Sequence, residues 1–153
     1  MDLYYLMYQR GTDVRLLRTN ELDADEIEFT PTKTENSSGA TVRLAVTQDI
    51  RDVVTGLKRI AKLRSIYLIH DDHGQPFTSR KVRDIFARAC KKAGVSGITL
   101  KDIRAKAATD ATKAGYTESQ LQTALAHTDG STTRDYIRNR ETPISEVILR
   151  LPK

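Results

Sequence analysis

The sequence predicts a mainly helical α+β domain with a small three-stranded antiparallel sheet. Apolar residues recur at helical spacing along most of the chain, whereas apolar–polar alternation is confined to short stretches around Ile27 and Val42. With 153 residues, 39% hydrophobic and 29% charged, the chain has enough apolar surface for one core and too much for a disordered segment. Helices and strands that segregate in this way make an α+β arrangement.

Taken in order, Leu3 to Gln9 reads as a helix entered abruptly, as if upstream sequence had been trimmed, and ending near Gly11. Thr12 is placed to cap a second helix, Asp13 to Arg18, with Val14, Leu16 and Leu17 as its apolar positions. Ile27 and Phe29 alternate with Glu26 and Glu28, and Val42, Leu44 and Val46 alternate with Arg43 and Ala45. These are two strands joined by the turn-rich loop Pro31–Gly39. Thr47 caps a helix to about Leu63, with Ile50, Val53, Val54, Leu57, Ile60 and Ala61 on one face. Ile66 to Ile69 supplies the third strand, followed by a loop through Pro76.

Thr78 or Ser79 opens the next helix, with Val82, Ile85, Phe86, Ala89 and Cys90 inside and Gly94 past its end. Thr99 with Asp102 starts a helix to about Ala114, and Thr117-Glu118-Ser119-Gln120 is a capping box for one ending near His127. A last helix, capped by Asp129, Ser131 or Thr132, carries Tyr136. The tail after Thr142 has Ile144, Val147, Ile148 and Leu149 at helical spacing.

Charge is uneven. The net charge is +5, but residues 1–76 carry −2 and residues 77–153 carry +7. A basic half points to a polyanionic partner, because Lys and Arg displace counterions condensed on phosphate. Cys90 is the only cysteine, so an intramolecular disulfide is excluded and a reducing cytoplasm is the natural setting. No apolar run approaches the roughly 20 residues that span a bilayer, and the N-terminus lacks the basic leader of a secretory signal.

Several chemistries find no support. His70 and His73 have no ligand-spaced partners in Cys90 or His127, so no zinc site is expected. Phosphate-loop, dinucleotide and serine-elbow motifs are missing, and no carboxylate cluster could hold the divalent cations of a metal nuclease. What remains is Arg10, Lys33, Lys101, Arg104, His127 and Tyr136.

In these positions the sequence resembles the tyrosine recombinase (phage integrase) family. Gln9-Arg10-Gly11-Thr12-Asp13-Val14 is similar to its first box, with Arg10 as the first catalytic arginine and Asp13 as the acidic residue beside it. Thr32-Lys33-Thr34 falls in the hairpin where the family places its catalytic lysine. Lys101-Asp102-Ile103-Arg104 resembles the His-x-x-Arg box, Leu125-Ala126-His127 the Leu-Gly-His box, and Tyr136 stands nine residues after His127. Two departures are Lys101 in place of histidine and Ala126 in place of glycine.

The resemblance implies a DNA breaking-rejoining catalytic domain over residues 1–141, with residues 142–153 as a tail that docks on a neighbouring subunit or folds back on its own domain. It implies that an N-terminal core-binding domain is lacking. Arg10 and Arg104 would offer guanidinium donors to the non-bridging oxygens of a phosphodiester, with His127 donating a further hydrogen bond. Tyr136 would attack phosphorus, and Lys33 would protonate the departing 5′ oxygen. Neither metal nor ATP is needed, so no cofactor is expected.

Lysine ordinarily titrates near 10.4, which leaves two roles open for Lys101: a proton shuttle, or a charged donor holding the phosphate or the phenolate. The fold-related type IB topoisomerases also accept lysine there. Arg80 and Lys81 open a helix whose N-terminus could seat a DNA phosphate. The expected partner is double-stranded DNA, bound as a homotetramer, with the isolated fragment monomeric and no membrane involved. The expected setting is the cytoplasm, in association with the nucleoid, and the expected origin is prokaryotic or phage. The alternative function is a non-catalytic DNA-binding or assembly remnant of such an enzyme.

Overall fold

The computed structural model describes residues 1–22, 24–30, 41–125, 144–145 and 147–152. The hairpin loop with Lys33, the segment with His127 and the expected helix of Tyr136 lie outside them. The elements run α1 (Asp2–Leu6), α2 (Gly11–Arg15), a 3-10 turn (Thr19–Leu22), β1 (Glu26–Phe29), β2 (Val42–Ala45) and α3 (Gln48–Ile60). Then follow α4 (Ser79–Lys92), α5 (Leu100–Lys113), α6 (Glu118–Ala124) and β3 (Ile144–Ser145).

The helix starts follow local chemistry. The Thr47 hydroxyl accepts from the N–H of Ile50, and that of Thr78 from the N–H of Lys81. Thr99 with Asp102, and Thr117 with Gln120, form the reciprocal capping boxes of α5 and α6. Gly94 follows α4 with φ +69°, the left-handed geometry that a glycine adopts without a side-chain penalty.

The core gathers beneath α1. Leu3, Tyr4 and Leu6 are buried, and α1 packs on α5 and α3. On α5 the facing residues are Ala107 and Ala111, both fully buried, and small side chains there allow α1 to approach closely. Tyr5 donates to the Asp110 carboxylate at 2.8 Å, and Lys106 pairs with the same group. Ile27 lies opposite Leu44 in the β1–β2 ladder, and both are buried with Val42. On the outer face Arg43 meets Glu28 at 3.4 Å.

The sheet departs from expectation in its third strand. The order is β1-β2-β3, with β1 and β2 antiparallel and β3 parallel to β2. The third strand comes from the tail. The run at residues 66–69 is held instead by the chain after α2: Thr19 donates to the Ile66 carbonyl and Leu68 donates to that of Leu17, both at 2.9 Å. An antiparallel bridge joins Arg18 to Tyr67, and Ile66 is 63% exposed.

Four helix boundaries also move. α1 stops at Leu6 because Tyr8 sits at φ 56°, which ends a right-handed helix. α2 begins at Gly11 with Arg10 as its N-cap, two residues before the expected cap at Thr12. At Gly11 an added Cβ would lie 3.2 Å from the Tyr4 ring. α3 ends at Ile60, which is 75% exposed, and Ala61 is exposed too, so the buried face is only Ile50 and Val54 with Val53 and Leu57 half-buried. α6 ends at Ala124. On α4, Val82 and Phe86 are buried, Ile85 and Cys90 half-buried, and Ala89 exposed.

The tail is extended rather than helical. Ser145, Val147 and Leu149 are buried while Ile148 and Arg150 are exposed, the period of two of an extended chain. It lies on its own domain, and the Tyr116 hydroxyl meets the N–H and the carbonyl of Ile148.

Candidate active site

Three of the six predicted catalytic residues lie among the described residues: Arg10, Lys101 and Arg104. Lys33, His127 and Tyr136 lie outside them. Arg10 is half-buried at the N-cap of α2, with extended backbone, and its carbonyl accepts from the N–H of Val14. Asp13, one turn further on, is buried. Arg104 is half-buried on α5, one turn after the exposed Lys101 in the first turn of that helix.

The two arginines sit near one another. Burial pushes the Arg104 guanidinium down to about 10, the positive charge of Arg10 adds to the shift, and Asp13 opposes it. Arg104 therefore remains charged at neutral pH, but at a cost that burial and like charge impose together. One nitrogen, Nη2, donates to the Leu125 carbonyl at 2.6 Å. Its Nε and the Nη1 of Arg10 are buried and find no hydrogen-bond partner among the described residues. Guanidinium donors that are desolvated and still unspent suit an anion that could sit across both groups.

One contributor was not assigned a role from sequence. Gln9, immediately before Arg10, is 1% exposed, and its amide nitrogen donates to the Ala124 carbonyl at 2.9 Å. Its oxygen is buried without a partner among the described residues. The signal available in sequence was its position next to Arg10, since a glutamine carries no burial pattern of its own. Gln9 and Arg104 thus bind consecutive carbonyls at the end of α6, from opposite sides of the chain's length.

Arg80 and Lys81 are both exposed in the first turn of α4. Lys81 borders a cleft of about 550 Å³ together with His70, Asp71, Asp72, Pro76, Phe77 and Thr78. Asp71 organises the adjoining turn by accepting from the N–H groups of Gln75 and His73, which hold its carboxyl below the ordinary range. Among the described residues no group of three or more His, Cys, Asp or Glu could hold a metal ion. None of the described helices is long and apolar enough to cross a membrane.

Arg10 at the start of α2 and Arg104 on α5 thus stand near one another, and Arg104 is tied to the end of α6. The chain belongs to the phage integrase family, the tyrosine recombinases, whose family model matches residues 1–142. Its fold is similar to that of the lambda integrase catalytic core, with a TM-score of 0.68 and 20% identity over 82% of this chain and 79% of that one. A lambda integrase dimer bound to a COC′ core site gives a TM-score of 0.69 at 20% identity, covering 83% of this chain and 48% of that one. XerA recombinase gives 0.70 at 16% identity, covering 90% and 52%. The chain therefore spans about half the length of these last two proteins. Among curated proteins no sequence match reaches significance.

Proposed function

We propose that this chain is the catalytic domain of a site-specific DNA recombinase that cuts and rejoins double-stranded DNA through Tyr136. The observation that carries the reading is the pairing of Arg10 with Arg104, two cations held close and half-buried with donors to spare. Such an arrangement costs stability on its own and is compensated when an anion binds between them. A phosphodiester approaching its transition state is that anion, because charge gathers on its non-bridging oxygens.

In this reading the Tyr136 oxygen attacks phosphorus and the bond to the 5′ oxygen breaks. Lys33 supplies the proton that makes the leaving group a 5′-hydroxyl. The product is a 3′-phosphotyrosyl link, which a different 5′-hydroxyl can reverse. His127 donates to the same phosphate, and Lys101 either relays the phenol proton or remains a charged donor while that proton passes to water. No metal or ATP enters the balance. Arg80 and Lys81, with the N-terminus of α4, hold the DNA backbone. A lambda integrase tetramer has been captured on a Holliday junction, and an assembly of four on DNA is proposed here by likeness of fold.

The test is a duplex nicked so that the 5′ fragment diffuses away after cleavage. The expected result is a covalent protein–DNA adduct that Tyr136→Phe abolishes. A chain that binds DNA but forms no adduct, even when joined to an upstream DNA-clamping domain, would instead be a DNA-binding or assembly remnant.

A further inference from the structure

The backbone leading into the two-arginine site is strained. Tyr8 is fully buried and holds φ at 56°, a left-handed geometry that is unfavourable for a non-glycine residue. Its hydroxyl is buried without a partner among the described residues. Strain of this kind persists only where the surrounding structure over-determines it, and it clusters at functional sites. Here it separates the end of α1 from the start of α2 by a sharp turn. That turn directs Gln9 into the interior and leaves Arg10 to cap α2.

Gln9 then reaches across 115 positions of sequence to the Ala124 carbonyl. The next carbonyl, that of Leu125, takes the Nη2 donor of Arg104. Helix α6 is only seven residues long, and both of these carbonyls stand at its C-terminal end, where no described residue of the helix donates to them. The last turn of a short helix frays unless something outside holds it. Gln9 is that hold. The path from Tyr8 through Gln9 and Ala124 to Leu125 ends on the Arg104 guanidinium, and the same chain turn carries Arg10.

We propose that Gln9 is a positioning residue for the two-arginine site, orienting the Arg104 guanidinium through the end of α6. The inference deepens the recombinase reading and rests on it only for the catalytic consequence. Gln9 touches no reacting atom. It sets where the Leu125 carbonyl lies, and with it the direction in which the remaining Arg104 donors point. Loss of the amide donor would let the last turn of α6 shift and turn the guanidinium away from the phosphate.

Gln9→Met keeps the length of the side chain and removes the hydrogen bond. Two readouts on the full chain test the proposal. The first is solvent exchange of the Arg104 guanidinium protons by ¹⁵N NMR, expected to rise about ten-fold or more in the variant as the end of α6 opens. The second is the single-turnover rate of adduct formation on nicked duplex, expected to fall about ten-fold while the Kd for DNA changes by less than about two-fold. In an Arg104→Lys background Gln9→Met should slow the reaction no further.

Unchanged Arg104 exchange, or an equal slowing in both backgrounds, would overturn the proposal. Should Gln9→Met not fold, Gln9→Leu is read the same way. In the unaltered chain the Gln9 side-chain amide itself should exchange slowly, and rapid exchange there would refute the inference without any variant. If the unaltered chain forms no adduct even when joined to an upstream DNA-clamping domain, the recombinase reading fails, while the NMR arm still decides whether Gln9 orients Arg104.

Discussion

Under the proposed recombinase reading, Arg10 and Arg104 are costly to the fold and useful to the site. Each would be better solvated on the surface, and together they repel. Arg10→Met should therefore leave stability unchanged or raise it by up to about 1 kcal/mol, because a buried cation is exchanged for an apolar chain. The same change should slow adduct formation by about 10²–10³-fold, the usual effect of losing a donor to developing charge. Urea denaturation and single-turnover cleavage, run in parallel, check the two halves. A destabilised variant with normal cleavage would mean that Arg10 is structural.

Asp102 gives a pH prediction at the same scale. It accepts from the Thr99 hydroxyl at 2.7 Å and from the Thr99 N–H at 2.6 Å, which holds its carboxyl below the ordinary 3.8. A carboxyl lowered in the folded state stabilises the fold above its unfolded value and loses that contribution as pH falls through the lowered one. Urea midpoints between about pH 5 and about pH 2 should therefore fall with acid, and Asp102→Asn should flatten part of that fall. An identical acid dependence in the variant would remove Asp102 from the account.

Among the elements, α6 depends most on its ends. Its start is held by the Thr117–Gln120 box, and its last turn by Gln9 and Arg104. Thr117→Ala should cost about 1 kcal/mol by thermal or urea melting, typical of a lost N-cap. An effect near zero would mean that tertiary contacts alone hold the helix. The starts of α3, α4, α5 and α6 were legible in sequence because a threonine cap is local chemistry, written within four residues. The ends of α1 and α6 were not, since they depend on Tyr8 and Gln9, whose partners lie far along the chain. The third strand was missed for the same reason. Ile66 to Ile69 is as apolar as a strand, yet its backbone partners are Leu17 and Thr19. The tail, whose Ile144 and Ser145 join β2, looked helical because Val147, Ile148 and Leu149 fit either period over so short a run. The candidate site was read by motif order. Its geometry, in which Arg104 spends one donor on Leu125, could not be.

At the scale of the whole molecule the tail matters most. Val147 and Leu149 are buried against the chain's own domain, and β3 extends the β1–β2 sheet. Removing residues 142–153 should cost the monomer several kcal/mol, given about 1.5–3 kcal/mol for each large apolar side chain buried. A truncated chain that melts at the same temperature would show that the tail contributes little in cis. The same segment is proposed to dock on a neighbouring subunit when copies assemble on DNA, which crosslinking with and without residues 142–153 tests. Assembly unaffected by the truncation would end that proposal. Binding to DNA should weaken steeply with salt and show little sequence preference, as expected for contacts dominated by phosphate.

In the proposed mechanism Tyr136 becomes covalently joined to a DNA 3′-phosphate held by Arg10 and Arg104. Mass spectrometry of the digested adduct from a nicked duplex tests it most directly. The expected result is a nucleotide carried through phosphate on the peptide containing Tyr136, formed without metal or ATP and formed far more slowly when Arg10 or Arg104 is replaced by methionine. A nucleotide mapped to any other residue, or an adduct that persists in Tyr136→Phe, would contradict it.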